Sequence, residues 1–303
     1  MRARRATRRA VMTLALFGCS LLLTGCSAKD WERDLRFGWP TGVTKQATRM
    51  RVLYTWSSVA ALIVGVIVWG LIFWVCVRYR KRNDELPRQV KENLVIEAAY
   101  TIAPFFIIAG LFYRTVVVEN YVDRKTTHPD VTVTVTAFKW NWAFDYNGTG
   151  YANPDPNLST PQSIGTVGTS IEVPILVIPQ GETVRFVEHS RDVIHSFWVP
   201  EFLFKRDVIP MPKDNEFELT ATRTGHFVGR CAELCGTYHA QMNFEVRVVT
   251  PQKFAAYKAA LAKQRFDDPN RQAAALTAIG EAPRATTTHP FNTDRTSRSS
   301  SGS

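Results

Sequence analysis

The stretch VLYTWSSVAALIVGVIVWGLIFWVCV, Val52 to Val77, runs 26 residues without a charge. As a helix rising about 1.5 Å per residue it reaches roughly 39 Å, more than the ~30 Å of a bilayer's hydrocarbon core. The sequence therefore predicts a membrane span there, rather than the core helix of a soluble domain. Leu94–Tyr113, LVIEAAYTIAPFFIIAGLFY, reads as a second span extending to residue 118. Its signal is weaker because it contains Glu97 and Pro104.

Working outward, the connector 78–93 carries Arg78, Arg80, Lys81, Arg82, Arg88 and Lys91 against Asp84, Glu85 and Glu92. A basic loop between two spans is retained in the cytoplasm, which puts both chain ends outside. The beginning of the chain fits this topology. Arg2, Arg4, Arg5, Arg8 and Arg9 precede an apolar run from Val11 to Leu23, as in a secretory signal covering residues 1–25. That run ends in Leu23-Thr24-Gly25-Cys26, the layout of a bacterial lipobox cleaved before a cysteine that is then lipidated. The alternative is an ordinary thiol behind an uncleaved or differently cut leader. Residues 26–51 form an external lead-in to the first span.

These assignments dispose of the overall charge as a clue to partners. The 303-residue chain has 37 Lys+Arg and 27 Asp+Glu, a net +10 that would suggest nucleic acid. Losing the signal removes five arginines and no acid, leaving +5, of which the connector holds +3. Nothing then calls for nucleic acid, and the charge reports membrane orientation. Glu97, at the cytoplasmic start of the second span, admits two readings. It is either an interfacial carboxylate favoured by a helix N-terminus or a group in proton traffic.

Beyond Asn120 the pattern changes to short alternating runs. Val131–Phe138, VTVTVTAF, alternates as a half-buried strand does. Ile171–Ile178, Thr183–His189, Glu216–Ala221, Phe227–Arg230 and Phe244–Val249 are further strands, separated by turns such as Pro179-Gln180-Gly181. An antiparallel β-sandwich over 119–250 is expected, with 147–168 a long Asn/Pro/Gly/Ser-rich loop. Pro251–Arg265 reads as a helix, and 266–303 as a disordered tail.

Within this domain, Cys231-Ala-Glu-Leu-Cys235-Gly-Thr-Tyr-His239-Ala-Gln-Met242 gathers two thiols, an imidazole and a thioether in twelve residues. His195 comes from a loop upstream. Soft sulfur donors with imidazole suit copper. A disulfide and a structural zinc site are the other readings, but both leave Met242 without a role. The remaining cysteines, Cys19, Cys26 and Cys76, lie apart from this cluster, so no disulfide scaffold is indicated. A mononuclear blue-copper site takes one cysteine, so two thiolates point to a bridged pair of ions.

His195 with CAELCGTYHAQM closely resembles the copper-binding part of cytochrome c oxidase subunit II. Lys139-Trp-Asn-Trp-Ala-Phe-Asp-Tyr146, His195-Ser-Phe-Trp-Val-Pro200, Lys205-Arg-Asp-Val-Ile-Pro210 and Glu97-Ala-Ala-Tyr-Thr-Ile-Ala-Pro104 extend the likeness. In the last of these Tyr100 replaces the usual Trp. The resemblance implies a two-helix transmembrane hairpin followed by an all-β cupredoxin-like Greek-key sandwich. It implies a binuclear CuA centre bridged by Cys231 and Cys235, with His195 and His239 binding one copper each. Met242 and the carbonyl of Glu233 become weak outer ligands, and the Glu233 side chain faces Mg at the contact with subunit I. Trp140 becomes the electron entry from a c-type cytochrome, whereas Trp142 is expected to pack the core. Glu97 becomes the entrance of a proton pathway, and Asp145 a docking residue for the donor. Subunit I and other oxidase subunits are the implied partners, in a bacterial cell membrane.

The lipobox, the long loop and Gly38-Trp39-Pro40 resemble actinobacterial versions, whose donor is a membrane-bound c-type cytochrome within a supercomplex. Two other classes share parts of this pattern. A copper-free quinol oxidase subunit II has the same topology but lacks the thiols, and a membrane-anchored copper carrier or assembly protein needs neither Glu97 nor Trp140.

Overall fold

A computed structural model describes residues 37–81, 83–86, 89–146, 164–210, 215–265 and 268–289. The signal segment with Cys26, residues 147–163 of the expected loop, Met211 and the last fourteen residues of the tail lie outside them.

Helix α1, Lys45–Arg78, begins seven residues before the apolar stretch because Thr44 supplies an N-cap, its side chain accepting from Ala47 N at 2.9 Å. Helix α2, Leu94–Val122, is capped reciprocally. Asn93 Oδ1 accepts from Ile96 N at 3.2 Å, and Glu97 Oε1 accepts from Asn93 N at 3.0 Å. Both helices are long and apolar enough to cross a membrane. Trp69, Phe73, Phe105 and Phe106 project outward from them and are exposed.

The remaining chain forms two five-stranded sheets packed face to face. One is ordered β3-β2-β1-β5-β8 and the other β4-β10-β9-β6-β7. The strands are β1 Val131–Phe138, β2 Asn141–Asp145, β3 Gly165–Val167, β4 Ile175–Pro179, β5 Thr183–Ser190, β6 His195–Val199, β7 Phe204–Val208, β8 Asn215–Thr220, β9 Gly225–Cys231 and β10 Asn243–Val249. The sandwich is mixed, not antiparallel as expected: β1 pairs β5 in parallel, and β10 pairs β4 in parallel. After β2 and β3 the chain crosses to β4 in the opposite sheet before returning as β5, and that crossover lays β5 alongside β1 in the same direction. The alternation of β1 survives, with Val131 paired to Val184 and Val133 to Phe186 on the buried face. Gly181, at φ +83°, makes the β4–β5 turn that most side chains would strain.

Helix α3, Pro251–Lys263, buries Phe254, Tyr257 and Leu261 along one face. The disordered tail expected from residue 266 is a correction, since α4, Arg271–Ala278, packs Ala275 and Leu276 into the core. Past α4 the chain crosses strand β10 as a strap. Arg247 and Glu245 are fully buried beneath it, joined at 2.7 Å. Arg247 donates to the carbonyls of Ala282 and Arg284, and Glu245 Oε2 accepts from Thr286 N and Thr287 N at 2.6 and 2.8 Å. Hydrogen-bonded in this way, the segment replaces solvent over two charges that could not otherwise be buried.

A polar collar fixes the sandwich on the helices. Thr220 N donates to Gln46 Oε1 at 3.2 Å, Val43 N donates to Glu201 O at 2.9 Å, and Arg206 pairs with Asp123 at 2.6 Å.

Candidate metal centre

Strand β9 ends at Cys231 and β10 begins at Asn243, so adjacent strands hold both ends of the Cys/His/Met loop. Cys231 N donates to Met242 O at 3.0 Å and closes it, while Ala232 N donates to Ser196 O at 3.0 Å and ties it to β6. His195 is the first residue of β6, not a loop residue as expected, and is wholly buried. Cys231 and Cys235 are free thiols with their sulfurs 3.8 Å apart, nearly twice the ~2.05 Å of a disulfide.

An imidazole flanks each sulfur. His195 Nδ1 lies 3.9 Å from Cys231 Sγ, and His239 Nδ1 lies 3.6 Å from Cys235 Sγ. Met242 Sδ is 3.7 Å from Cys235 Sγ, and the Glu233 carbonyl is 3.3 Å from Cys231 Sγ. The donor atoms of His195, Cys231 and Cys235 lie within 4.8 Å of one another, a spacing that could hold metal. The site thus brings together all six protein donors expected from the sequence. Thiol, thioether and imidazole are the donor types that suit a soft cation such as copper.

Electrostatics separate the thiols. Burial is the largest single influence and opposes ionisation of Cys231, but hydrogen bonding with His195, the Glu233 and Ser196 backbone and His239 together outweighs it and holds the thiol below its usual range. Burial and then the charge of Cys231 push Cys235 up. Two thiolates this close need a cation between them. His195 Nε2 lies 2.8 Å from Asp192 Oδ1, and Lys139 N donates to Asp192 Oδ2 at 2.7 Å. Asp192 therefore orients the imidazole and anchors the turn before Trp140. Sequence reasoning missed this role; the only signal was a carboxylate three residues before the histidine.

Trp140 is half-buried and donates from Nε1 to Cys235 O at 3.0 Å, with Tyr238 edge-on at 4.9 Å. Gly236, at φ +117°, sits under this ring, where an added Cβ would lie 3.3 Å from it. Trp142 is fully buried, as expected for a core residue, and also braces the loop by donating to Met242 O at 3.3 Å. Asp145 is fully buried, so the donor-docking role expected for it is corrected. Glu97 is not brought to this site. It lies at the opposite end of α2 from the sandwich, about 38 Å along the helix from Val122.

A sandwich whose metal loop joins two neighbouring strands is a cupredoxin-like domain, here carried on two membrane-capable helices. The family model described as cytochrome C oxidase subunit II, periplasmic domain, matches residues 131–249. The chain is 48% identical to a probable cytochrome c oxidase subunit 2 of Nocardia farcinica, over 97% of this chain and 91% of that protein. It is 43% identical to cytochrome c oxidase subunit 2 of Mycobacterium tuberculosis, over 96% and 91% respectively. Among solved structures, the periplasmic domain of cytochrome oxidase subunit II of Bradyrhizobium japonicum is 30% identical, covering 45% of this chain and 95% of that one at a TM-score of 0.35. The chain belongs to the cytochrome c oxidase subunit II family, as its motifs led us to expect, and is membrane-anchored. Its relatives are components of an oxidoreductase, the terminal oxidase.

Proposed function

We propose that this chain is the electron-input subunit of a respiratory oxidase. It takes electrons from a c-type cytochrome at a binuclear copper centre and passes them to haem in subunit I, where O2 becomes water and protons are translocated. The observation that carries this reading is the pair of free, buried thiols 3.8 Å apart, each with its own imidazole. His195, Cys231, Cys235 and His239 hold the metal, with Met242 and the Glu233 carbonyl as outer donors. Copper bound there supplies one-electron storage shared between two ions, which keeps ligand rearrangement small.

The protein's part is rigidity and exclusion of water. Strands pin both ends of the loop, Trp142 and Asp192 hold its ligands from beneath, and Cys231, Cys235, His195 and Met242 are all buried. Trp140 offers the partly exposed ring whose N–H reaches the Cys235 carbonyl, a short route from a docked donor. Cys26 carries lipid, the domain lies on the external face, and the side chain of Glu233 meets Mg at subunit I. Glu97 serves as the mouth of a proton pathway. Its place in the first turn of a membrane-capable helix supports that role, alongside the capping bond it makes to Asn93.

Trp140→Phe in the assembled oxidase tests the entry route. Reduction by a c-type cytochrome should slow by about an order of magnitude or more, a barrier change of about 1.4 kcal/mol, with metal content intact. An unchanged rate would remove Trp140 from the route.

A further inference from the structure

Glu188 stands in the middle of the sandwich and takes no part in the metal site. It is fully buried on the inward face of β5, in line with Val184, Phe186 and Ser190, and among the described residues neither carboxylate oxygen has a hydrogen-bond partner. Strand register sets it beside Val135 of β1 and Asn215 of β8. From the opposite sheet it feels Arg206 and Asp207 of β7. The buried Nε of Arg206 also lacks a partner, and the far end of its guanidinium pairs with Asp123 at the end of α2. Strands β7 and β8 are the terminal strands of their sheets, with Arg206 on one and Glu188 a single strand in from the other, and Asn215 Nδ2 joins the two by donating to Asp207 O at 3.0 Å. Arg206 pairs with Phe197, two residues along β6 from His195, or about 7 Å of strand.

A carboxylate without a hydrogen bond or ion pair is costly in such a place, whereas the neutral acid is far less so. Burial, opposed by Arg206 and reinforced by Asp207, holds the Glu188 carboxyl well above the usual range. Among the described residues, its register partners on the flanking strands carry no charge: Val135 is apolar and Asn215 is neutral.

We propose that Glu188 is a proton-binding site inside the sandwich, exchanging with solvent past Arg206 at the β7–β8 edge and coupled to the charge of the metal site. Were copper held there, the positive charge of its oxidised state would favour the Glu188 carboxylate, and on gain of an electron from the donor a proton from solvent would add to that carboxylate as its O–H. Loss of the electron releases the same proton. The coupling rests on the copper reading above; the proton site does not.

Infrared difference spectra of the full-length, metal-free protein, wild type against Glu188→Gln, test the site. Wild type should show a protonated carboxyl band at neutral pH that the variant lacks. Its unfolding stability should fall as pH rises from mildly acid values, because a raised carboxyl loses its contribution as it ionises, while the variant stays flatter. No missing band, or identical slopes, would overturn the site. Arg206→Gln should move the band's titration to higher pH; no movement, or a shift to lower pH, would also overturn it. In copper-loaded protein the midpoint potential should fall with pH in wild type and stay flat in Glu188→Gln. Parallel profiles there would overturn the coupling alone, and failure to load copper would count against the copper reading while the metal-free band still decides the site.

Discussion

At the residue scale, the candidate ligands were legible because three donor types, thiol, imidazole and thioether, gather at spacings that few other sites use. Less legible were the groups that support them. Asp192 looks like any turn carboxylate until the fold places it against His195, and Trp142 reads as plain core until its N–H is seen to brace Met242. Gly229 is a further case: a Cβ there would lie 2.1 Å from the Phe244 ring, so the close packing of β9 and β10 depends on a hydrogen. Gly229→Ala should destabilise the domain by about 1–3 kcal/mol, visible as a lowered Tm, and an unchanged Tm would show the ring free to move. Met242→Leu keeps volume but removes a soft outer donor. Copper should stay bound while its potential shifts, checked by metal analysis and redox titration; complete loss of copper would make the thioether an anchor instead.

At the element scale, the short apolar runs between turns found β1, β4, β5, β8 and the strands on either side of the metal loop, with β4 beginning four residues later than expected. It did not find β2, β3, β6 or β7. β3 has three residues, and the mixed aromatic and polar runs of β2 and β6 lack period-two contrast. Parallel pairing also left no local trace, since it follows from the crossover between sheets. The strap was hidden because hydrogen bonds to the buried Glu245 and Arg247 hold it as much as apolar contact does. Glu245→Ala should strand Arg247, cost about 3–5 kcal/mol and expose the segment after α4 to protease.

The strap's pH dependence has a definite sign. Burial, the largest single influence, would raise both Glu245 and Glu281, but hydrogen bonds from Arg247, Thr287 and Thr286 together outweigh it in the first, and hydrogen bonds and charge from Lys253 and His226 together in the second, so both lie below their usual values. Carboxyls depressed in the folded state stabilise fully above the unfolded value of about 4.3 and lose that contribution as pH falls through the folded ones. Protection of the Thr286 and Thr287 amides from hydrogen exchange, relative to their intrinsic rates, should therefore be high at pH 7 and fall below about pH 4. Equal protection at both would contradict this.

At the scale of the whole molecule, the helices form an apolar hairpin with outward-facing aromatic side chains, and the collar of Gln46, Asp123 and Arg206 holds the cupredoxin-like domain at its end. The net charge of +10, which on its own suggests a polyanionic partner, is concentrated in the first 25 residues and in the connector between the two helices. The central claim is that this anchored domain is built to hold two bridged coppers. Copper quantitation with electron paramagnetic resonance on the full-length, copper-loaded protein tests it most directly. Two coppers per chain sharing one unpaired electron are expected, with hyperfine structure from both nuclei. A chain that takes up no copper and instead forms a Cys231–Cys235 disulfide would contradict it.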